Sequence, residues 1–235
     1  QNLYKHKMWK YLFGIILGIA LFITVSKLLG LAVLIGIGYI FTIKNNFLGD
    51  IDIIHSKLDE GIVYCKDFNG SYQKNGAAFQ EMNNLIYKFR MEKKCKLISL
   101  YYDNPNTCPK EKQRATIGIY KEKENEEDLC IDQEMEKYIL ENGFKKSIIK
   151  TTKAIVGNWK YDMSSGMISY LVGVKKFYDK YMKLLSEEAF QKKTGLSDKN
   201  PSKLSVELFT DKDKVDFIIP YGEVDSLMIH DSFNM

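Results

Sequence analysis

The feature that most constrains this chain lies at its start. Two apolar stretches, Leu12–Val25 and Leu28–Ile43, are parted by one charge, Lys27, and neither carries a polar face. A globular surface helix keeps a polar stripe, so a run that is apolar all round points to lipid. As one continuous helix it would be about 50 Å long, against a hydrocarbon core of about 30 Å. A single transmembrane helix with an apolar overhang is the expected arrangement. A hairpin turning at Ser26 and Lys27 is the second, disfavoured because a tight turn in lipid leaves backbone groups without partners. A signal peptide followed by an anchor is the third: Lys5, Lys7 and Lys10 precede the run, but no small-x-small cleavage site follows its first half.

Orientation signals conflict for a single span. Lys5, Lys7 and Lys10 lie before the run and only Lys44 close after it, which would keep the N-terminus cytosolic and send the rest to the lumen. The cysteines lean the other way. Cys65, Cys95, Cys108 and Cys130 show no C-x-x-C spacing and have no nearby histidine, so no metal site or redox pair is signalled. Free thiols fit a reducing compartment. Asn69-Gly70-Ser71 is a glycosylation sequon with meaning only on a lumenal side. Because the chain opens with Gln1, it is read as a fragment or a processed form.

Of 235 residues, 45% are hydrophobic, but they are concentrated in the first 43, which leaves about one domain beyond the anchor. The net charge of +4 arises from 34 basic and 30 acidic residues with no basic stripe interleaved with aromatics, so a nucleic-acid partner is not indicated.

The expected organisation is an anchor with its flank over 1–48, a domain over 49–220 and a tail over 221–235. Phe47–Lys57 reads as a juxtamembrane linker. A strand is expected from Gly61 to about Phe68. Phe79, Met82, Leu85, Ile86 and Phe89 then make one helical face. Leu97–Tyr102 and Ala115–Tyr120 read as strands about a connector stiffened by Pro105 and Pro109. Lys121–Asp128 reads as a solvated loop. A connecting helix is expected over 131–142, stopped by Asn142-Gly143, with an extended piece from Phe144 to Ile149.

The same order then returns. A strand from Ala154 to Tyr161 is followed by a helix capped by Ser164-Ser165 and running to before Gly195, with Leu171, Val174, Tyr178, Tyr181, Met182 and Leu185 on its apolar face. Strands Leu204–Phe209 and Val215–Ile219 close the series. Repeats of about 60–120 and 153–220, each strand-helix-strand-strand, predict a duplicated α+β domain.

The doubled unit, with Gly70-x-Tyr72 before its first helix and Val206-Glu207-Leu208-Phe209 followed by Asp216-Phe217-Ile218-Ile219-Pro220, resembles GyrI-like ligand-binding domains. Tyr101-Tyr102-Asp103-Asn104-Pro105, Arg114-Ala115-x-x-Gly118 and Gly38-Tyr39 near the end of the apolar run resemble the membrane-anchored testis-expressed protein 264 family. That resemblance implies a protein of the endoplasmic reticulum membrane, its domain in the cytosol, acting as a receptor in selective autophagy of the reticulum. It also implies a long acidic tail carrying a motif for the autophagosomal ubiquitin-like modifier. Tyr221-Gly222-Glu223-Val224 has the aromatic-x-x-aliphatic form of such a motif.

In ligand-binding GyrI-like domains a glutamate on the third strand of the second half meets cationic ligands, and Glu207 holds that place here. A carboxylate among aromatics suits a lipophilic cation. Trp159, Tyr161, Tyr101 and Tyr102 are the candidate wall residues; the plain alternative for Glu207 is a strand residue sharing one sheet face with Ser205 and Phe209. Some relatives of the fold are hydrolases, and Glu207 can in principle serve as a general base. His6, His55 and His230 lie outside the two repeats, and no nucleophile elbow or phosphate loop is present, so no catalytic residue, cofactor or enzyme activity is expected.

Overall fold

A computed structural model describes residues 2–24, 27–123, 133–161 and 167–233. Its first departure from expectation is the apolar run, which forms two helices, α1 (Asn2–Thr24) and α2 (Lys27–Lys44), in place of one. Gly14 and Gly18 explain the pairing. They lie four residues apart on one face of α1, and a Cβ built on either would approach Ile37, or Val33 and Leu34, to 3.3 Å. Small residues let two helices approach closely where a larger side chain would hold them apart. The register runs backwards, Gly14 facing Ile37 and Gly18 facing Val33 and Leu34, so the helices are antiparallel. Among the described residues no helix is long and apolar enough to cross a membrane. The end of α2 is closed by Asn45, whose side-chain amide donates to the Phe41 carbonyl at 2.8 Å, and by Asn46 at a left-handed φ of 56°.

The described chain divides into two compact units, residues 1–51 with 159–176 and residues 52–158 with 177–233. In the first, the Trp159 indole N–H donates to the Ser169 carbonyl at 2.9 Å, and a methyl at Gly173 would overlap the indole ring. The Lys176 ammonium meets the Gly49 carbonyl.

The second unit is built on an eight-stranded sheet. Its strands are β1 (Ile53–Leu58), β2 (Gly61–Asn69), β3 (Lys96–Tyr101), β4 (Arg114–Glu122), β5 (Lys145–Ile149), β6 (Thr152–Lys160), β7 (Ser205–Asp211) and β8 (Lys214–Pro220). The spatial order is β1-β6-β8-β7-β3-β4-β2-β5. Helices α3 (Gly76–Lys88), α4 (Gln133–Glu141), α5 (Met167–Leu185) and α6 (Glu188–Thr194) complete the elements.

The duplication is legible in that order. β2-α3-β3-β4 and β6-α5-β7-β8 repeat one plan, and the halves join through the antiparallel pair β3–β7. The outermost strands are exchanged: β1 precedes the first repeat but pairs with β6 of the second, while β5 precedes the second and pairs with β2 of the first. Phe47–Lys57 is therefore not simply a linker. Its second half is edge strand β1, hidden from the period-two signal because His55, Ser56 and Lys57 in its middle are all exposed.

Side chains alternate between the sheet's two faces. Ile62, Tyr64, Ile117 and Ile119 face α3 and α4, packing with Met82, Ile86, Met135 and Ile139. Val63, Cys65, Ile98, Leu100, Val206 and Leu208 face the other way, with Leu227 buried among them and Val224, Met228, Ile229 and Phe233 packed on their edge. The segment 221–233 is thus no free tail but the cover of that face.

Other boundaries shift for local reasons. β4 runs to Glu122 with Lys121 buried, so the charged loop begins later, and residues 124–128 lie outside the described set. The described part of the connecting helix is Gln133–Glu141; its stop at Gly143, φ 78°, is as expected, whereas Ile131 and the Ser164-Ser165 cap lie outside the described residues. The second long helix is two, α5 and α6, the latter ended by Gly195 at φ 73°. Helix α5 is also rotated from the expected face: Gly173, Phe177, Tyr181 and Leu185 are buried, while Leu171, Tyr178 and Met182 are exposed. Counting bulky residues missed Gly173, whose lack of a side chain is what brings the helix against Trp159.

Candidate functional site

The site begins with the register of the central pair. Ser99 stands opposite Glu207, Tyr101 opposite Ser205, and Leu97 opposite Phe209, all on the face that carries α3. On β8, Phe217 is the partner of Glu207. Glu207 is therefore held at the junction of the two halves and is 8% exposed. Its Oε2 accepts from the Tyr101 hydroxyl at 3.0 Å and from Ser99 Oγ at 3.3 Å.

Burial, reinforced by the charge of Glu207, pushes the Tyr101 hydroxyl well above the usual tyrosine range, so it stays protonated and donates. The Tyr178 hydroxyl reaches Ser205 from α5 and is pushed up to about 12, first by burial and then, against that hydrogen bond, by Glu207. Tyr178 as a whole residue is 36% exposed. Tyr72 lies edge-on to Tyr101 with ring centres 4.8 Å apart, and Phe79 of α3 lies edge-on to Phe209 at 5.4 Å. Beside them Asn75, at the start of α3, is 3% exposed with neither amide atom hydrogen bonded. It is close enough to the Tyr101 hydroxyl to favour its ionised form, but not in hydrogen-bond geometry.

Of the residues singled out from sequence, Glu207 and Tyr101 come together. Tyr102 does not join them. It follows Tyr101 directly, so the alternation sends it to the opposite face, where its hydroxyl sits 3.2 Å from Thr116 Oγ1 and 3.1 Å from the Leu227 carbonyl. Trp159 is committed to Ser169 and Gly173, and Tyr161 lies edge-on to Tyr170 at 6.4 Å. The pair Tyr221 and Val224 is built into the fold: the Tyr221 N–H donates to the Lys153 carbonyl at 2.8 Å, and Val224 packs on the core. An extended peptide adding to another protein's sheet would first have to leave those contacts.

Sequence reading missed Ser99, Tyr72, Asn75 and Tyr178. Ser99 becomes notable only when β3 and β7 are known to pair, and in the sequence Tyr178 counts toward the apolar face of its helix. The Tyr72 signal was present in Gly70-x-Tyr72. Its hydroxyl accepts from the Asp103 N–H at 3.1 Å and lies 2.9 Å from the Arg114 carbonyl, while Arg114 donates from N, Nε and Nη2 to the Asp103 carboxylate. Burial opposes ionisation of Asp103, but the Arg114 hydrogen bonds and charge outweigh it and hold the carboxyl below its ordinary value. The connector after β3 is thereby clamped, and Tyr72 is set against Tyr101.

The opposite face has a pocket of about 280 Å³ over Tyr120, Val156, Leu208 and Ile218. Lys96 pairs with Glu122 at 2.8 Å and Lys57 with Asp59 at 2.6 Å on its rim, and Asp216 accepts from the Asn158 side-chain amide at 2.6 Å. Among the described residues no group of three His, Cys, Asp or Glu side chains is placed to hold a metal ion.

No protein-family model matches the chain, and no curated protein does. Among solved structures it is similar to the EcmrR C-terminal domain, at 13% identity and TM-score 0.41 over 74% of this chain and 99% of that one. It is also similar to SAV2435 bound to tetraphenylphosphonium, at 11% identity and TM-score 0.41 over 77% and 99%. A hydrolase from Listeria innocua matches at 9% identity and TM-score 0.42 over 77% and 98%. Likeness at this level assigns neither ligand nor activity.

Proposed function

We propose that this chain is a membrane-associated binding module whose second unit takes a small cationic, aromatic ligand at Glu207. The observation that carries the reading is a carboxylate at the junction of two repeats, accepting from Ser99 and Tyr101 and set among Tyr72, Tyr178, Phe79 and Phe209, with the unpaired Asn75 amide beside it. Glu207 is a buried carboxylate held by hydrogen bonds from Ser99 and Tyr101, and a lipophilic cation would add charge pairing and attraction to ring faces. A polar group on the same ligand would satisfy the amide of Asn75, which otherwise costs about 1–3 kcal/mol. The resemblance of Val206–Phe209 and Asp216–Pro220 to GyrI-like domains points the same way. On the testis-expressed protein 264 resemblance, the membrane is that of the endoplasmic reticulum.

The test is titration of the full chain in detergent with a rhodamine-class cation, read by fluorescence anisotropy. Saturable binding is expected, at least tenfold weaker in Glu207→Gln and absent for an uncharged analogue of the dye. Equal affinity for the cation and the neutral analogue would overturn the reading. Dye or ester turnover lost in Glu207→Gln would replace it with a hydrolase.

A further inference from the structure

We infer that α1 and α2 enter and leave the bilayer by one face, so that the N-terminus and the end of α2 both emerge on the cytosolic side. The inference rests on the membrane association proposed above and adds its topology.

Three observations carry it. First, the pairing is antiparallel along the apolar length, from Gly18 facing Val33 and Leu34 through Gly14 facing Ile37 to the Lys44 ammonium lying 5.7 Å from the centre of the Tyr11 ring. Residue 11 is thus level with residue 44, and a single crossing would require the two helices to continue in line.

Second, the hairpin's outer surface is apolar on both helices. Trp9, Phe13 and Ile16 of α1 are 56–66% exposed, and Ile35, Tyr39 and Ile40 of α2 are 49–63% exposed. A contiguous surface of this kind on a water-exposed hairpin far exceeds what isolated apolar residues contribute, and lipid covers it in return for the cost of placing the turn and Lys27 at the inserted end. From Tyr11 to Thr24 and from Leu28 to Ile43 the helices extend about 21 and 24 Å, short of the roughly 30 Å hydrocarbon core.

Third, the charges sort by end. Lys5, Lys7, Lys10 and Lys44 all belong to the open end, while Lys27, the one charge between Tyr11 and Ile43, opens α2 at the closed end. For a single span those four lysines are divided three to one across the bilayer, and they oppose a cytosolic domain. For the hairpin they fall on one face, where an anionic cytoplasmic leaflet attracts each. Asn45 and Asn46, which close α2, lie at that same end. The conflict between the lysines and the free thiols of Cys65, Cys95 and Cys108 disappears with this geometry.

The test is translation of the full chain, with an N-terminal tag carrying a glycosylation acceptor, into reticulum-derived microsomes. Carbonate extraction reports insertion, glycan addition reports lumenal exposure of the tag and of Asn69, and protease added outside intact vesicles reports cytosolic exposure. Expected are retention in the carbonate pellet, no glycan at either place, and digestion of both tag and domain. A glycan on one end, with protection of that end, would overturn the hairpin while leaving the membrane reading intact. Glycans on both would overturn the orientation. Release of the chain by carbonate would remove the membrane reading itself.

Discussion

Tyr101 and Tyr102 are neighbours in the chain and end on opposite faces of the sheet with opposite roles. Tyr102 is buried under the C-terminal segment, its hydroxyl tied to Thr116 and the Leu227 carbonyl, its ring edge-on to Phe233 at 5.1 Å. Tyr101 donates to a carboxylate at the centre of the other face, beside an amide with no partner. One face uses its polar groups to lock segments of the chain to each other. The other gathers a carboxylate, the hydroxyls of Ser99 and Tyr101 and the Asn75 amide at the junction of the two repeats.

The comparison can be broken from either side. The largest effect is expected on the locked face. Leu227→Ala removes a fully buried side chain from beneath the C-terminal cover and should cost about 2–5 kcal/mol, read as a lowered urea midpoint, with dye affinity of the folded protein unchanged. Loss of dye binding with little loss of stability would invert the assignment of the faces.

Next, Glu207→Gln should lower cation affinity at least tenfold, about 1.4 kcal/mol, while the urea midpoint moves little, since glutamine keeps the acceptor for Ser99 and Tyr101. A large destabilisation with unaltered affinity would make Glu207 a structural residue.

The matched pair Tyr102→Phe and Tyr101→Phe sharpens the contrast. The first should cost about 1 kcal/mol of stability and leave affinity alone; the second should reduce affinity several-fold with a smaller change in stability. Chemical denaturation and dye titration of the same samples separate the two, and equal effects on both quantities would erase the distinction.

The smallest effect concerns His230, also on the locked face. It is 2% exposed, and Nδ1 accepts from the Ser232 N–H at 3.1 Å. Burial holds its pKa below the usual 6.5 despite the charge of Asp67. The unfolded chain therefore binds a proton more readily than the folded one, so stability should fall as pH drops through about 6.5 toward the lower folded value, and level off below it. His230→Gln should flatten that part of the stability profile; an unchanged slope would mean that another group is responsible.

How much of this was readable beforehand differs by element. Phe79, Met82, Leu85, Ile86 and Phe89 identified α3 because an amphipathic helix writes its period into a few turns. The six strands of the two repeats were legible from β-branched and aromatic runs. Edge strand β1 was not, because its exposed residues have no apolar alternation. The rotation of α5 was hidden because it depends on an absent side chain at Gly173, which no count of apolar residues registers. For the site, Glu207 was singled out by resemblance and Tyr101 as one of four candidate wall aromatics, while Ser99 and Asn75 are ordinary polar residues until the register brings Ser99 opposite Glu207 and the fold buries Asn75.

By itself the sequence determined the apolar start, the repeated order of strand, helix, strand and strand, and the alternation that separates Tyr101 from Tyr102. These follow from local periods of 2 and 3.6 residues, which any short window contains. Only the tertiary structure decided that the apolar run folds back on itself, that β1 and β5 exchange partners between the halves, and that residues 99 and 207 meet. Those are pairings across long stretches of chain, chosen by close approach at glycines and by register, and no local period encodes them.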